Sequence, residues 1–314
     1  MGVAEIIPGV SGGTIAFITG IYEKLMQTIT SFDGQFIRLL FSGRWNEAFQ
    51  KLDLRFILFL GSGMVAGIIS GVFAISFFLE HYPEPLWGFF FGLIMASAVF
   101  IANQWESKDF KQVMALLVGA LVAYGITIIS PAEGSSSYLF IFISAIVAIS
   151  AMLLPGISGS FMLVILGMYN FILVSLKSVL TDFDLSGILV ILVFLTGIAT
   201  GAATFARIFS WLFARFKNIT LAVLTGFLIG SLNKIWPWRN VEQVFDKASG
   251  KFIDIKNPDI LEGLDPEVIK IISEVPVLPG VYHGTPKVTA TILSCLIGFL
   301  IVFFMDFYKK GKLT

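Results

Sequence analysis

The stretch Pro8-Gly9-Val10-Ser11-Gly12-Gly13 decides the fold of this chain, because it returns as Pro155-Gly156-Ile157-Ser158-Gly159-Ser160. The copies stay in register beyond the motif, with seven identities over the fifteen positions of 8–22 and 155–169. Proline and paired glycines interrupt helices, and unpaired backbone is costly in lipid. Yet each copy lies in apolar sequence that would otherwise predict a membrane-spanning helix. Matched breaks in two halves of a chain are typical of membrane proteins with a central binding site.

The composition is that of a polytopic membrane protein. Hydrophobic residues make up 56% of the 314 positions and charged residues only 13%. A soluble domain has about 25% charged residues. The net charge is zero, so it gives no argument for nucleic acid as a partner. The single cysteine, Cys295, excludes an internal disulfide, and no pattern in the chain requires a cofactor.

Nine apolar runs mark the predicted membrane segments. Several are shorter than the roughly 20 residues that a perpendicular spanning helix needs. We therefore expect those beside the motifs to be half-helices or re-entrant hairpins. The runs are 9–30, 57–79, 85–103, 113–130, 138–154, 156–176, 187–206, 219–232 and 288–305.

The lysines and arginines predict the orientation. They cluster in 32–55, 104–112, 207–217 and the C-terminal tail, whereas the turns at 81–84 and 131–137 hold none. We expect the basic segments to be cytoplasmic, with the C-terminus on the inner side of the membrane. Five predicted crossings then separate the starts of the two motif runs. Because five is odd, the second motif enters from the opposite face and the repeat is inverted.

These observations predict an all-α membrane protein with two broken or re-entrant helices that meet near the bilayer midplane. The first repeat is expected at 1–130 and includes an interfacial segment at 32–55, where apolar and basic residues alternate. The remainder, 131–314, holds a linking span, the second repeat and a polar insertion at 236–287 on the outer face. The insertion forms either a small lobe or cap, or a solvated loop without chemistry.

Pairs of glycines four residues apart give further evidence of duplication. We expect them to allow close helix packing rather than to contact a ligand. The matched pairs are Gly67 and Gly71 with Gly197 and Gly201, and Gly88 and Gly92 with Gly226 and Gly230.

The two copies differ in what precedes them. A full apolar segment, 138–154, leads into the second motif, whereas only 2–7 lead into the first. We therefore expect that the sequence lacks an N-terminal helix.

The motif has the chemistry of an anion site. Ser11 and Ser158 occupy N-cap positions, and a helix that begins there presents free N–H groups and a partial positive charge. Glycines allow the backbone to approach a ligand closely, and serine adds a hydroxyl. The alternative is that both serines are only helix caps. The candidate binding residues are Pro8, Gly9, Ser11, Gly12, Gly13 and Thr14 in the first copy and Pro155, Gly156, Ser158, Gly159 and Ser160 in the second.

A further charge is expected at this site. A helix end contributes about 0.3–2 kcal/mol, whereas a charge at the bilayer centre costs at least about 2.5–3.5 kcal/mol. Arg207 is the best candidate cation, with Lys24 and Lys177 as others; the alternative for each is an interfacial position. Glu5, matched by Met152, is a candidate for coupling to protons or sodium, or else an interfacial residue.

Enzyme signatures are scarce. Both histidines, His81 and His283, fall in predicted outer connections, and no cluster has the spacing of a metal site. Ser11 and Ser158 have no histidine near them in sequence to act as a base. The glycine-rich motif also lacks the lysine of a P-loop. We therefore expect a protein that is not an enzyme and binds no metal.

The residues resemble those of the bacterial polyprenyl-phosphate transporter family. The resemblance rests on 5–14, Gly20-Ile21-Tyr22-Glu23-Lys24, 155–160 and Gly230-Ser231-Leu232-Asn233-Lys234-Ile235-Trp236-Pro237-Trp238. It implies a flippase that returns undecaprenyl phosphate from the outer to the inner leaflet, recycling the lipid carrier of peptidoglycan and other envelope polymers. The head group would lie between the two motif tips while the isoprenoid tail stays in lipid. The first alternative is a transporter of a small soluble anion, and the second is an intramembrane lipid phosphatase.

Overall fold

The computed structural model describes residues 1–6, 11–129, 131–132, 134–246, 250–255, 260 and 268–311. This part of the chain is mostly helical. Its helices are α1 Gly2–Glu5, α2 Gly12–Thr19, α3 Tyr22–Ser31, α4 Gly34–Phe41, α5 Trp45–Lys51, α6 Leu54–His81, α7 Pro83–Ala102, α8 Phe110–Ile128, α9 Tyr138–Leu153, α10 Gly159–Ile165, α11 Tyr169–Asp182, α12 Leu185–Ser231 and α13 Val288–Gly311. Between the last two lie the strands β1 Arg239–Asp246, β2 Lys251–Asp254 and β3 Ile269–Pro276, followed by a 3-10 turn at Pro279–Val281.

Five helices of the described residues, α6, α7, α8, α12 and α13, are long and apolar enough to cross a membrane. The predicted runs at 57–79, 85–103 and 113–130 agree with α6, α7 and α8 to within three residues at each end. Helix α9 is also apolar, but with sixteen residues it is shorter than these five. The chain is therefore a multi-pass membrane protein, as predicted.

The long helix α12 contains two of the predicted runs, 187–206 and 219–232. Its 47 residues would reach about 70 Å if straight, more than twice the hydrocarbon thickness of a bilayer. Phe216 has non-helical backbone angles, φ −134° and ψ 42°. The Thr220 hydroxyl also donates to the carbonyl of Leu212 at 3.3 Å, although eight residues of straight helix span about 12 Å. Therefore α12 is two arms that fold back on each other at Phe216.

The helices share two ends, which we call the sheet face and the bend face. The sheet face carries the β-sheet, and there Lys287, just before α13, pairs with Glu84 at the start of α7. The bend face carries Phe216, and there Lys217 pairs with Glu106 between α7 and α8. These contacts fix which end of each long helix lies at which face.

The second motif reverses the chain inside the bundle. Gly159 of α10 packs against Ala148 of α9, and the Ile165 carbonyl at the end of α10 accepts from Ala132, just before α9. Hence α9 and α10 are antiparallel, and we call them the second hairpin. The chain then bends by 105° between α10 and α11, where Gly167 has φ +69°, so the predicted run 156–176 is not one straight helix.

The described part of the first motif, Ser11-Gly12-Gly13, forms the start of α2, and we call α1 and α2 the first hairpin. Gly2 packs against Met64 and Gly71 packs against Ile6, so α1 runs parallel to α6 toward the interior. Along α2 the chain returns, and the Phe17 ring lies 6.3 Å from that of Phe213, near the bend. Gly20, with φ +76°, ends α2, so the predicted run 9–30 is likewise divided.

The matched glycine pairs all lie at close helix contacts. A Cβ on Gly88 or Gly92 would fall within 3 Å of a carbonyl oxygen of α13. A Cβ on Gly226 or Gly230 would do the same to α8. Gly197 and Gly201 pack against α9, as Gly67 and Gly71 pack against α1. The prediction of close packing is confirmed at these contacts.

The insertion at 236–287 corrects the expectation of an all-α chain. Its strands form an antiparallel sheet in the order β2-β1-β3, so the described part is neither helical nor a plain solvated loop. The β3 sequence Ile-Lys-Ile-Ile-Ser-Glu-Val is rich in β-branched residues, which favour strands. Trp236 and Trp238 anchor the sheet, because their indole N–H groups donate to the carbonyls of Val277 and Pro286.

The segment predicted to be interfacial, 32–55, is helical in two pieces. Asp33 caps α4 by accepting from the Phe36 N–H, and Gly43, with φ +71°, separates α4 from α5. Phe36, Ala48 and Leu52 form a small apolar cluster that holds the two helices together. The main core lies elsewhere, around α2, α7 and α12.

Candidate binding site

The first motif is closed by groups of its own hairpin. Ser11 caps α2 by accepting from the Gly13 N–H at 3.0 Å. The Gly12 N–H, the next free donor, is bonded to the Glu5 carboxylate at 2.8 Å. Glu5 therefore supplies the negative charge that the N-terminus of α2 favours. A Cβ on Gly12 would lie 2.2 Å from that carboxylate oxygen, so a larger residue there would displace the Glu5 side chain from this position.

The first motif also holds the second. The Ser11 hydroxyl lies 3.0 Å from the carbonyl oxygen of Met152 and 3.1 Å from that of Leu154, at the end of α9. Thr14 accepts from the Gly156 N–H at 3.0 Å. Tyr22 donates to the Leu153 carbonyl at 2.9 Å. Ser11 and Thr14 are completely buried, so the two motifs meet inside the bundle and satisfy the backbone that the second break leaves unpaired.

The second motif is held differently at its own serines. Ser158 is 1% exposed, and its hydroxyl pairs with that of Ser160 at 2.9 Å rather than capping α10. Met152 occupies the position of Glu5, since a Cβ on Gly159 would lie 2.9 Å from the Met152 Cβ. The second tip therefore has two hydroxyls and no carboxylate of its own hairpin.

A cavity of about 1060 Å³ lies between the sheet and the second hairpin. Phe161 and Ile165 of α10 line it, together with Tyr124 and Ile128 of α8 and with β3. Beneath it is a void of about 10 Å³ lined by Gly156, Ser158 and Ser231, among others. Thr127, Phe161 and Lys234 line both spaces. The cavity therefore leads from the sheet face toward the second motif.

Two cations line this cavity. Arg239 is engaged: its guanidinium donates to the carbonyls of Asn233 at 2.5 Å and Glu274 at 2.8 Å and lies 3.5 Å from the Glu274 carboxylate. Lys234 lies over the Phe161 ring, 4.9 Å from its centroid. Burial lowers the pKa of Lys234, the Arg239 charge lowers it further, and the Glu274 carboxylate opposes both.

The predicted site residues are only partly brought together. Ser11 and Thr14 contact 152–156, Gly13 packs against Met152 and Leu153, Gly12 lies against Glu5, and Pro155 is buried. Pro8 and Gly9 lie outside the described residues. Arg207, the predicted cation, is on the exposed side of α12, and no hydrogen bond or ion pair joins it to the described motif residues.

The other candidate groups lie away from the motifs. Lys24 pairs with Asp53 at 2.7 Å, and Lys177 is exposed on α11. His81 stacks on Phe77, and the backbone N–H of His283 donates to Asn240. Neither histidine contacts a motif serine within the described part of the chain. No group of three or more metal-ligating side chains occurs there either.

Sequence reasoning missed Lys234 and Arg239 as site residues. Both lie just beyond the last apolar turn of α12, where a basic residue reads as an interfacial anchor. The available signal was that Lys234 lies within 230–238, one of the stretches on which the family resemblance rests. In the structure its neighbour Ile235 is fully buried.

The fold and the site define a class: a multi-pass membrane protein in which the described parts of the two motifs meet inside the helix bundle. Residues 1–253 match the family described as undecaprenyl phosphate translocase-like. The chain belongs to this family.

Two relatives agree with this assignment. A polyprenyl-phosphate transporter of Vibrio cholerae is 38% identical over 255 residues, covering 81% of this chain and 80% of the relative. A polyprenyl-phosphate transporter of Staphylococcus aureus is 30% identical over 249 residues, covering 76% of this chain and 83% of the relative. No solved structure matches the chain.

Proposed function

We propose that this protein is a flippase that returns undecaprenyl phosphate from the outer to the inner leaflet of the bacterial cell membrane. The transport would recycle the carrier lipid of envelope synthesis, and the protein would not be an enzyme. The observation that carries the proposal is the contact between the two breaks, in which Ser11 and Thr14 bind the backbone of 152–156. Interrupted helices that meet at one place are the usual site of substrate binding in such folds.

The proposal includes an inverted repeat, with its halves at 1–130 and 131–314. In the first half the hairpin is followed by the short helices α3–α5 and then by the long helices α6–α8, and in the second half by α11, the two arms of α12 and α13. The hairpins lie on opposite faces, and three long helices separate them. An odd number of crossings puts the two motifs on opposite sides of the membrane. The number is five in the sequence-based prediction and three in the proposed arrangement, so both give an inverted repeat. Rocking of one half against the other would expose the site alternately.

The orientation follows from where the basic segments lie. Helices α4 and α5, the connection from α7 to α8 and the bend at Phe216 all belong to the bend face, and all carry lysines or arginines. We assign this face to the cytoplasm, which also places the C-terminus there. The sheet, the cavity and Lys234 then face outward, so the structure represents an outward-open state.

A lipid substrate is favoured over a soluble anion by the wall of the cavity. Ile128 and Ile129 line it and are 61% and 52% exposed on the flank of the protein. Exposed isoleucines beside a membrane-facing helix let an isoprenoid chain remain in lipid while a phosphate enters the cavity. A soluble anion would need no such lateral wall.

Glu5 is the proposed coupling group. Its carboxylate accepts from Gly12 beside Ser11, so a change in its charge would alter the bond that closes the first tip. Coupling to protons or sodium would use this change to loosen the contact with 152–156. Replacement by glutamine, which keeps a hydrogen-bond acceptor, is expected to leave binding intact and to remove the dependence of transport on the ion gradient.

Liposomes that carry labelled undecaprenyl phosphate in one leaflet test the function. The wild-type protein is expected to transfer label between leaflets faster than protein-free liposomes, and Ser158→Ala more slowly than wild type. The transfer rates of Ser11→Ala and Arg207→Ala are measured in the same assay. Equal transfer with and without protein contradicts the proposal, uptake of inorganic phosphate supports a soluble anion, and release of inorganic phosphate supports a phosphatase.

A further inference from the structure

Among the described residues that line the cavity on the sheet face, one cation has no hydrogen bond or ion pair with a carboxylate. Among the described residues, only Lys234 and Arg239 bring positive charge to its lining. Arg239 is neutralised by Glu274, as its ion pair shows. Lys234 makes no hydrogen bond or ion pair with the described residues and rests on the Phe161 ring. One ammonium group is therefore free to bind an anion from outside.

No carboxylate among the described residues that line the cavity forms a hydrogen bond or ion pair with Lys234. Asp254 accepts from the Gln243 side chain at 2.8 Å, and Glu242 lies 3.4 Å from the Ser273 hydroxyl, both on the sheet. Glu274 is the carboxylate whose charge acts on Lys234, and it is already joined to Arg239. The cavity thus has an acidic rim on the strands and a cationic inner end.

Lys234 also stands between the cavity and the second motif. It lines the small void beneath the cavity together with Ser158, whose hydroxyl pairs only with that of Ser160. Hydroxyls that bond to each other can turn toward an anion without leaving a backbone group unpaired. Burial disfavours the charged form of a lysine that has no anion beside it, and a bound anion removes that penalty.

We propose that Lys234 binds the phosphate group of the transported lipid, with the Ser158 and Ser160 hydroxyls beneath it and Arg239 held by Glu274 as a positioning residue. This inference rests on the proposed function and names the group that recognises the substrate. One free ammonium suits a phosphate monoester, and the same chemistry would take inorganic phosphate. The exposed wall at Ile128 and Ile129 distinguishes the two, because only a prenyl phosphate gains from it.

Binding to purified protein in detergent tests the proposal without transport. The probes are farnesyl phosphate, inorganic phosphate and farnesol, each titrated by calorimetry. Lys234→Gln is expected to weaken farnesyl phosphate binding by about tenfold to a hundredfold, the range of a charge-assisted hydrogen bond. Lys234→Arg keeps the charge and is expected to keep binding. Lys251→Gln removes an exposed lysine of β2 as the matched control, and its affinity is expected to equal that of wild type.

A chemical rescue keeps the test valid if Lys234→Gln folds poorly. Lys234→Cys in a Cys295→Ala background leaves one thiol, which 2-aminoethyl methanethiosulfonate converts to a side chain that ends in an ammonium. Binding is expected to return with this reagent and not with the negatively charged sulfonatoethyl reagent.

The outcomes separate the two proposals. Equal affinity of Lys234→Gln and wild type for farnesyl phosphate, or no binding by wild type, overturns the role of Lys234 even if liposome transfer persists. Stronger binding of inorganic phosphate than of farnesyl phosphate overturns the lipid as the source of the phosphate. Intact binding without transfer between leaflets overturns the transport function and leaves the site standing.

Discussion

The two breaks have nearly the same sequence and different surroundings. At the first, Glu5 accepts from the Gly12 N–H and the Ser11 hydroxyl bonds to the end of α9. At the second, Met152 replaces the carboxylate, and among the described residues Ser158 bonds only to Ser160. We therefore propose that the first break is a structural support and that the second binds the ligand.

The difference shows that a duplicated motif need not give two equal halves of one site. In a symmetrical site both tips would contact the anion. Here a single substitution, glutamate in one copy and methionine in the other, fills one tip with the protein's own negative charge. In our proposal, an anion from outside then binds at the second tip, near Lys234.

Making the second break resemble the first should have the largest effect. Met152→Glu places a carboxylate beside Gly159, as Glu5 lies beside Gly12. Because like charges at close range cost several kcal/mol, farnesyl phosphate affinity is expected to fall by roughly a hundredfold or more. Met152→Gln has the same size without the charge and serves as the control. Calorimetric titration of both variants checks this, and equal affinities would remove the electrostatic argument.

Distorting the second break should reduce stability. Gly156 has φ +90°, and a Cβ there would lie 3.0 Å from the backbone of Phe227 and Leu228. Gly156→Ala is expected to lower the free energy of unfolding by about 3 kcal/mol. Gly43→Ala, with φ +71° and nothing within 4 Å, has the backbone cost alone, about 1 kcal/mol. Thermal unfolding in detergent compares them, and equal losses would show that the packing at 227–228 is unimportant.

Separating the two breaks should have a smaller effect on stability. Thr14→Val keeps the shape of the side chain but leaves the Gly156 N–H without its acceptor. A buried donor without a partner costs about 1–2 kcal/mol, so the melting temperature is expected to fall by a few degrees. Thr14→Ser retains the hydroxyl and is expected to melt close to wild type. A Thr14→Val protein as stable as Thr14→Ser would mean that this hydrogen bond does not join the halves.

The smallest predicted effect is on the pH dependence of binding. Burial and Arg239 lower the pKa of Lys234 while Glu274 opposes them, so its ammonium loses its proton at a lower pH than an ordinary lysine does. Binding that needs the ammonium is complete below this pKa and weakens as the pH rises through it. Titration between the second pKa of the phosphate, about 6, and the pKa of an ordinary lysine, about 10.4, is expected to show the decline in wild type. Lys234→Arg should remove it, and an unchanged wild-type affinity over this range would count against Lys234.

The sequence was sufficient for the breaks and the long helices. Proline and paired glycines in apolar sequence located both motifs, and α6 to α8 follow directly from hydropathy. Hydropathy could not distinguish one span from a turn at Gly20 or Gly167, because a glycine with positive φ looks like any other glycine in an apolar run. It also missed the sheet, since short strands in a polar insertion give a weak signal.

The candidate site was harder to predict than the fold. The resemblance between the copies suggested equal roles for Ser11 and Ser158, but the contacts of each depend on a residue outside the motif, Glu5 or Met152. Arg207 was the best candidate cation by sequence because it ends an apolar stretch. In the structure its side chain is exposed on the surface of α12. Lys234 approaches the second motif through the packing of α12 against α8 and against Gly156.

The binding isotherms of wild type, Ser11→Ala and Ser158→Ala for farnesyl phosphate test the unequal roles of the two breaks most directly. With melting temperatures measured on the same preparations, Ser11→Ala is expected to be less stable but to bind within about twofold of wild type. Ser158→Ala is expected to be nearly as stable as wild type and to bind about fivefold more weakly, as for the loss of one hydrogen bond. Weaker binding by Ser11→Ala together with unchanged binding by Ser158→Ala would contradict the account.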